Sequence, residues 1–280
     1  MTITVNRLAP MGAEIVGADV DTLLHDADVP AIVHEALEQN GVLIFRELGL
    51  DDASQVAFAR RLGDIAMGTG AKGYGRSEEM PEVYHVGFGK DLNNEVQVRG
   101  AFDWHMDGTT DPIPSMASLL SGRSLAAEGG DTQFVSTYDA YERLSDAERD
   151  RIADLKVEHG IEPAYRRFEP NPSPEVLERI RKVPTRLHPL VWHHRTGRRS
   201  LVLGATAGRV EGMSDDSGRE LLEGLLARAT EPEHVLTHKW SVGDLVIWDN
   251  RGDLHRATHY AEDSGRMMHR VTLVGDEAIQ

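Results

Sequence analysis

The chain is predicted to be an α+β protein with a mainly β core: a double-stranded β-helix (jelly roll, cupin-like) flanked by helices, forming one domain over 1-280. Three observations carry that expectation. From Val83 onward, short apolar runs of strand length recur along the chain. Helical spacing is confined to the N-terminal part and to a few later segments. No segment has the composition of a linker that would divide the 280 residues, of which 40% are hydrophobic, enough for a sizeable core.

Val29 to Gln39 reads as a helix, Gly41 as its stop, and Val42-Leu43-Ile44-Phe45 as a buried strand. A second helix follows, capped by Asp51 or Asp52, with Val56, Ala59 and Leu62 at helical spacing and Gly63 at its close. Gly68, Gly70, Gly73 and Gly75 predict a mobile loop near 66-80. Strands are expected around Val83 to Phe88, Met116 to Leu120, Leu187 to Trp192, Leu201 to Leu203, Asp244 to Trp248 and Met267 to Val274. Gly129-Gly130-Asp131-Thr132 should turn into a further strand, Thr132 to Val135. Ser145-Asp146-Ala147-Glu148 is a capping box opening a helix toward Leu155, and Glu220 to Ala229 repeats leucine at helical spacing. The proline-rich stretch 163-174 is expected to be a surface insertion.

Composition narrows the function classes. A net charge of −16 with no Lys/Arg-rich run repels phosphate backbones, so no nucleic acid partner is expected. No apolar run of about 18 or more residues and no basic-then-apolar N-terminus occur, which points to no membrane partner and a cytoplasmic location. With zero cysteines, a metal would have to be held by His, Asp, Glu or backbone oxygen. A small anionic ligand remains compatible with the acidic chain, because one arginine inside a pocket overrides the average surface field.

The candidate metal ligands are His105 and Asp107 in Trp104-His105-Met106-Asp107, answered by His255 beyond Trp248-Asp249-Asn250-Arg251. With 13 histidines in an aspartate-rich chain, about one His-x-Asp pair is expected by chance. The weight therefore lies in the joint pattern. Residues two apart diverge on a helix but share a face in a strand, so His105 and Asp107 can converge in a strand or at its end. Two imidazoles and a carboxylate are the facial triad of non-haem Fe(II) oxygenases, which leaves the opposite face of the ion open. Arg266 and Arg270 lie four apart around an apolar strand and share one face. Buried there, each guanidinium needs an anionic partner. The Thr132 hydroxyl is a candidate donor to a carboxylate.

The sequence W-H-x-D, G-G-D-T, W-D-N-R-x-x-x-H and R-x-x-x-R resembles the TauD/TfdA family of Fe(II)- and 2-oxoglutarate-dependent dioxygenases, from Gly12-Ala13-Glu14-Ile15 to Val274. The resemblance implies that His105, Asp107 and His255 bind Fe(II), and that Thr132 and Arg266 hold the distal carboxylate of 2-oxoglutarate. Arg270 then faces the acid group of the primary substrate or supports the cosubstrate. It further implies O2-dependent hydroxylation of a small organic anion (a sulfonate, sulfate ester, aryloxyalkanoate or related carboxylate) with release of succinate and CO2. Asp107 supplies the carboxylate that halogenating relatives lack, so oxygenation is expected, and a homo-oligomer would fit the family. Where the taurine enzyme has an asparagine four residues before its first iron histidine, this chain has Ala101. Ala101, Phe102 and the 66-80 loop are therefore expected to line a more apolar pocket, with Arg270 pairing the acid.

Two other readings use the same residues. A metal-dependent hydrolase or cupin-like isomerase would hold a metal-bound water at His105, Asp107 and His255, but leaves Arg266 and Thr132 without a task. A non-catalytic ligand-binding jelly roll leaves the complete triad unexplained.

Overall fold

The computed structural model describes residues 3–67, 75–76, 79–89 and 95–280. Much of the loop expected near 66-80 lies outside them. The N-terminal strands are β1 (Thr4–Arg7), β2 (Ala13–Val16) and β3 (Val42–Phe45), with helices α1 (Val20–His25) and α2 (Val29–Asn40) between the last two. Then come α3 (Asp52–Leu62), β4 (Tyr84–Val86), α4 (Glu95–Gly100), β5 (Ala117–Ser124) and β6 (Thr132–Ser136). The middle holds α5 (Thr137–Glu142), α6 (Asp146–Ile152), β7 (Lys156–His159), α7 (Ile161–Phe168) and α8 (Pro174–Ile180). Strands β8 (Arg186–Pro189), β9 (Val191–His193), β10 (Arg199–Leu201) and β11 (Ala207–Val210) precede the long α9 (Asp215–Ala229). Strands β12 (Leu236–His238), β13 (Leu245–Asp249), β14 (Asp253–Ala257) and β15 (Met267–Thr272) complete the chain.

The major sheet runs β1-β2-β3-β13-β5-β15-β4, antiparallel except for the parallel β2 and β3 pair. Its central strands alternate strictly between two cores. Leu43, Phe45, Leu119, Leu245, Ile247 and Val271 face the helices α1 to α3, packing on Leu23, Leu37, Val56 and Phe58. Val42, Ile44, Leu120, Val246, Trp248 and Met268 face inward, onto Phe134 and Leu236 of the smaller sheet β12-β6-β14. Burial on both faces is why these strands read as continuous apolar runs rather than as alternating ones. The inner space between the two sheets is the jelly-roll interior.

A third core backs the smaller sheet, where Val135 and Leu254 meet Trp192, Leu201, Leu222 and Leu225 beneath α5, α6 and α9. The run expected as one strand from Leu187 to Trp192 is two. Pro189 cannot donate to a ladder, and the chain passes from β8, paired with β7, to β9, paired with β10. The 163-174 stretch is largely helical: Pro163 sits in the first turn of α7 and Pro174 opens α8, positions where a missing N–H costs little. The Ser145 capping box closes as the spacing predicts.

Candidate metal centre and adjoining cavities

His105 and His255 are cross-strand neighbours. Each backbone N–H donates to the other's carbonyl, at 3.0 and 2.9 Å, so both side chains leave the same face with ring centroids 4.1 Å apart. His255 belongs to β14, whereas His105 reaches it as an isolated bridge beyond any strand. Met106 points the other way, into the core behind the smaller sheet. Two residues past His105, Asp107 returns to the imidazole face, and the chain then turns at Gly108 with φ +82°; a Cβ there would lie 2.9 Å from Pro114 Cα.

Nε2 of His105 is 3.9 Å from Asp107 Oδ1, and Nε2 of His255 is 3.9 Å from Asp107 Oδ2. One ligand atom from each residue falls within 4.8 Å of the other two. The His105 Nδ1–H donates to the Asp103 carbonyl at 2.8 Å, which leaves Nε2 with its lone pair toward the centre. Ser118 of β5 donates to Asp107 Oδ2 at 3.1 Å and accepts from Asn250 at 3.1 Å, while Arg270 donates to the same carboxylate at 3.2 Å. Burial raises the Asp107 carboxyl, but Arg270, the two imidazoles and Ser118 outweigh it and hold it far below the usual carboxylate range. Burial, reinforced by His105, pushes the His255 imidazolium down, against the opposing Asp107 charge. The result is an ionised carboxylate beside a neutral imidazole, the protonation states a divalent cation requires.

Two cavities meet here. The inner one, of about 60 Å³, is lined by His105, His255, Trp248, Thr132, Tyr260 and Arg266, among others. Arg266 is buried, with Nε and Nη2 donating to the Gly130 carbonyl at 3.2 and 2.9 Å and its guanidinium 4.6 Å from the Tyr260 ring. Gly130 has φ +74°, and a Cβ on it would lie 2.7 Å from Arg266 Nε, so the second glycine of Gly-Gly-Asp-Thr makes room for the arginine. Thr132 accepts from the Trp240 indole at 3.0 Å.

The outer cavity, about 310 Å³, opens over His105, Asp107 and Arg270. Arg270 lies over the Tyr84 ring at 5.1 Å. One wall is α4 with Val96 and Val98, followed by Ala101 just past its end; the facing wall is α7, whose Ile161, Ala164, Tyr165 and Phe168 all line the cavity. Those positions are i, i+3, i+4 and i+7, so one helical stripe faces the site. The stretch expected as a surface insertion therefore supplies a wall: its apolar residues recur at helical spacing, but that they face a cavity is decided by the fold.

Of the residues singled out from the sequence, His105, Asp107, His255, Thr132, Arg266, Arg270 and Ala101 converge on these cavities. Phe102 is in neither lining: it packs against Phe88, His259 and Tyr260, behind the tyrosine that covers Arg266. His85 stacks on His269 at 4.2 Å, on the helix side of β15 near Asp52. His194 is buried against Ser200, and His193 is exposed. Ser118, Asn250, Tyr84, Tyr260 and Trp240 were not singled out. Only Asn250 carried a sequence signal, through its place in Trp-Asp-Asn-Arg.

Comparison with known proteins points one way. The family model for "Taurine catabolism dioxygenase TauD, TfdA family" matches residues 4–272. The chain is 33% identical to an alkylsulfatase of Acinetobacter baylyi over 274 residues, covering 95% of this chain and 83% of that protein. It is 32% identical to an alpha-ketoglutarate-dependent 2,4-dichlorophenoxyacetate dioxygenase of a Burkholderia species over 293 residues, covering 98% and 95%. Among solved structures it resembles AAD-2 in complex with Mn(II) and N-oxalylglycine, at 30% identity, with a TM-score of 0.82 and full coverage of both chains (100% and 100%). A taurine dioxygenase from Burkholderia xenovorans superposes with a TM-score of 0.81 at 31% identity, covering 99% of this chain and 91% of that one.

Proposed function

Because the chain belongs to the TauD/TfdA family of dioxygenases, we propose that it is an Fe(II)- and 2-oxoglutarate-dependent dioxygenase that hydroxylates a small organic anion, forming succinate and CO2. The observation that carries this reading is the convergence of His105, Asp107 and His255 within 4.8 Å beside a cavity containing Arg266 and Thr132. The donor set suits a hard-to-borderline divalent cation with open positions. With iron and 2-oxoglutarate bound, the pair would supply the oxidising power that places one oxygen atom of O2 into a substrate C–H bond.

In this proposal His105, Asp107 and His255 hold the metal, and Ser118 and Asn250 aim the carboxylate. Arg266 and Thr132 take the distal carboxylate of 2-oxoglutarate, and the apolar lining of Leu120, Val86 and Trp248 keeps water from screening that pair. Arg270 and Ala101 face the primary substrate, with Tyr165 and Phe168 against its apolar part. Phe102 acts through Tyr260 rather than on the substrate. An alkyl sulfate and an aryloxyalkanoate are what the names of the alkylsulfatase and the 2,4-dichlorophenoxyacetate dioxygenase suggest as substrates, both organic anions. A cytoplasmic site of action is part of the same proposal. A hydrolase or isomerase is disfavoured, since neither gives Arg266 and Thr132 a ligand.

The test is anaerobic reconstitution with Fe(II) followed by 2-oxoglutarate. A visible charge-transfer band that weakens in Arg266→Ala is the expected result. Iron binding with no band in the wild-type protein would overturn the proposal.

A further inference from the structure

Trp240 is held in place from two sides. Strand β12 pairs with β6 so that His238 sits opposite Thr132, and the chain leaves the strand through Lys239 and Trp240. Asp244 lies 3.2 Å from His238 and accepts from the Ser241 N–H at 3.0 Å, which pins the turn that carries the indole. The Trp240 ring stands edge-on to His238 at 4.4 Å, and its other side abuts Gly122, where a Cβ would come within 3.3 Å of it. So fixed, its Nε1 reaches Thr132 Oγ1 at 3.0 Å.

An indole N–H is a donor only, so the threonine oxygen must be the acceptor of this bond, and its own hydrogen must point elsewhere. Among the described residues the Thr132 side chain has no other hydrogen bond, and it lines the inner cavity with Arg266. A carboxylate offers acceptors alone. We propose that Trp240 is a positioning residue for the cosubstrate: by donating to Thr132 it commits the Thr132 hydroxyl to donate to the distal carboxylate of 2-oxoglutarate. This rests on the reading of the cavity as the 2-oxoglutarate site.

The experiment measures N-oxalylglycine binding calorimetrically to the Mn(II)-loaded protein in wild type, Trp240→Phe, Thr132→Val and the double variant. Phenylalanine keeps most of the ring packing and removes the N–H. Trp240→Phe should weaken binding about fivefold and Thr132→Val about tenfold, as for one hydrogen bond to a charged group. The double variant should match Thr132→Val within about twofold, because the indole has nothing left to orient. Mn(II) affinity should not change in any of them. Unaltered binding in Trp240→Phe, or a full further loss in the Thr132→Val background, would overturn the inference and leave the proposed function standing. A wild-type protein that binds Mn(II) but not N-oxalylglycine would remove both.

Discussion

Arg270 donates to Asp107 at 3.2 Å, so the cation expected to grip the substrate acid is also bound to a candidate metal ligand. If Arg270 takes the substrate anion as proposed, substrate and metal site would be coupled through one guanidinium, which lies over Tyr84 and cannot swing away without losing that contact. A positive charge this close to a ligand oxygen opposes a dication. Arg270→Gln should therefore bind Mn(II) about fivefold more tightly in the absence of substrate, a Coulomb effect of about 1 kcal/mol at a partly exposed site. Titration of free Mn(II) by electron paramagnetic resonance checks it. Weaker binding would mean that the arginine serves mainly to hold Asp107 in place.

Gly130→Ala should damage cosubstrate binding without touching the metal ligands. The new methyl would fall 2.7 Å from Arg266 Nε on a backbone of positive φ, so the arginine must move. The expected outcome is a KM for 2-oxoglutarate raised about tenfold or more, with about 1 kcal/mol lost in stability from the backbone strain. Steady-state kinetics at saturating primary substrate, with a urea titration alongside, separates the two effects.

The α7 wall should set preference among primary substrates. Tyr165 and Phe168 line the outer cavity, whose lining does not include Arg266, and their rings lie 4.7 Å apart. Phe168→Ala is expected to raise the KM for an aromatic or long-chain anionic substrate about tenfold, the worth of one aromatic face of buried area. KM for 2-oxoglutarate should change less than about twofold. Equal losses in both constants would show that the helix is structural.

His159 predicts a pH dependence of stability. It is buried against Thr206 at 2.9 Å, and Thr206 contacts Thr109, next but one to Asp107 in sequence. Burial, with His188 nearby, pushes the His159 imidazole down to about 3. Between that value and the ordinary 6.5, the unfolded chain binds a proton that the folded one refuses, so stability rises with pH up to about 6.5 and is then flat. His159 alone should remove about 2 kcal/mol between pH 6.5 and pH 5. Denaturant titrations of His159→Gln should show a slope shallower by one proton over that range; an unchanged slope would contradict the burial argument.

Much of this arrangement was legible along the chain because its causes are local. The strands Val42–Phe45 and Leu245–Asp249 advertise burial on both faces through unbroken apolar runs, and the caps at Asp51 and Ser145 depend on residues three apart. β1, by contrast, is an edge strand exposed along its whole length, so no hydrophobic pattern marks it. Trp240 and Ser118 carry no mark either, since what matters is the atom each one reaches across the fold.

The joint pattern of motifs and its family resemblance nominated the triad, the two arginines and the threonine, because a facial metal site and an anion pocket each need particular side-chain types. Folding decided the rest. It turned Phe102 onto Tyr260 and away from both cavities, made a pocket wall of α7, and set Arg270 on Asp107. The physical reason is the β register: pairing His105 with His255 and Thr132 with His238 brings together groups more than a hundred residues apart, and one step of slippage would send them to the opposite face.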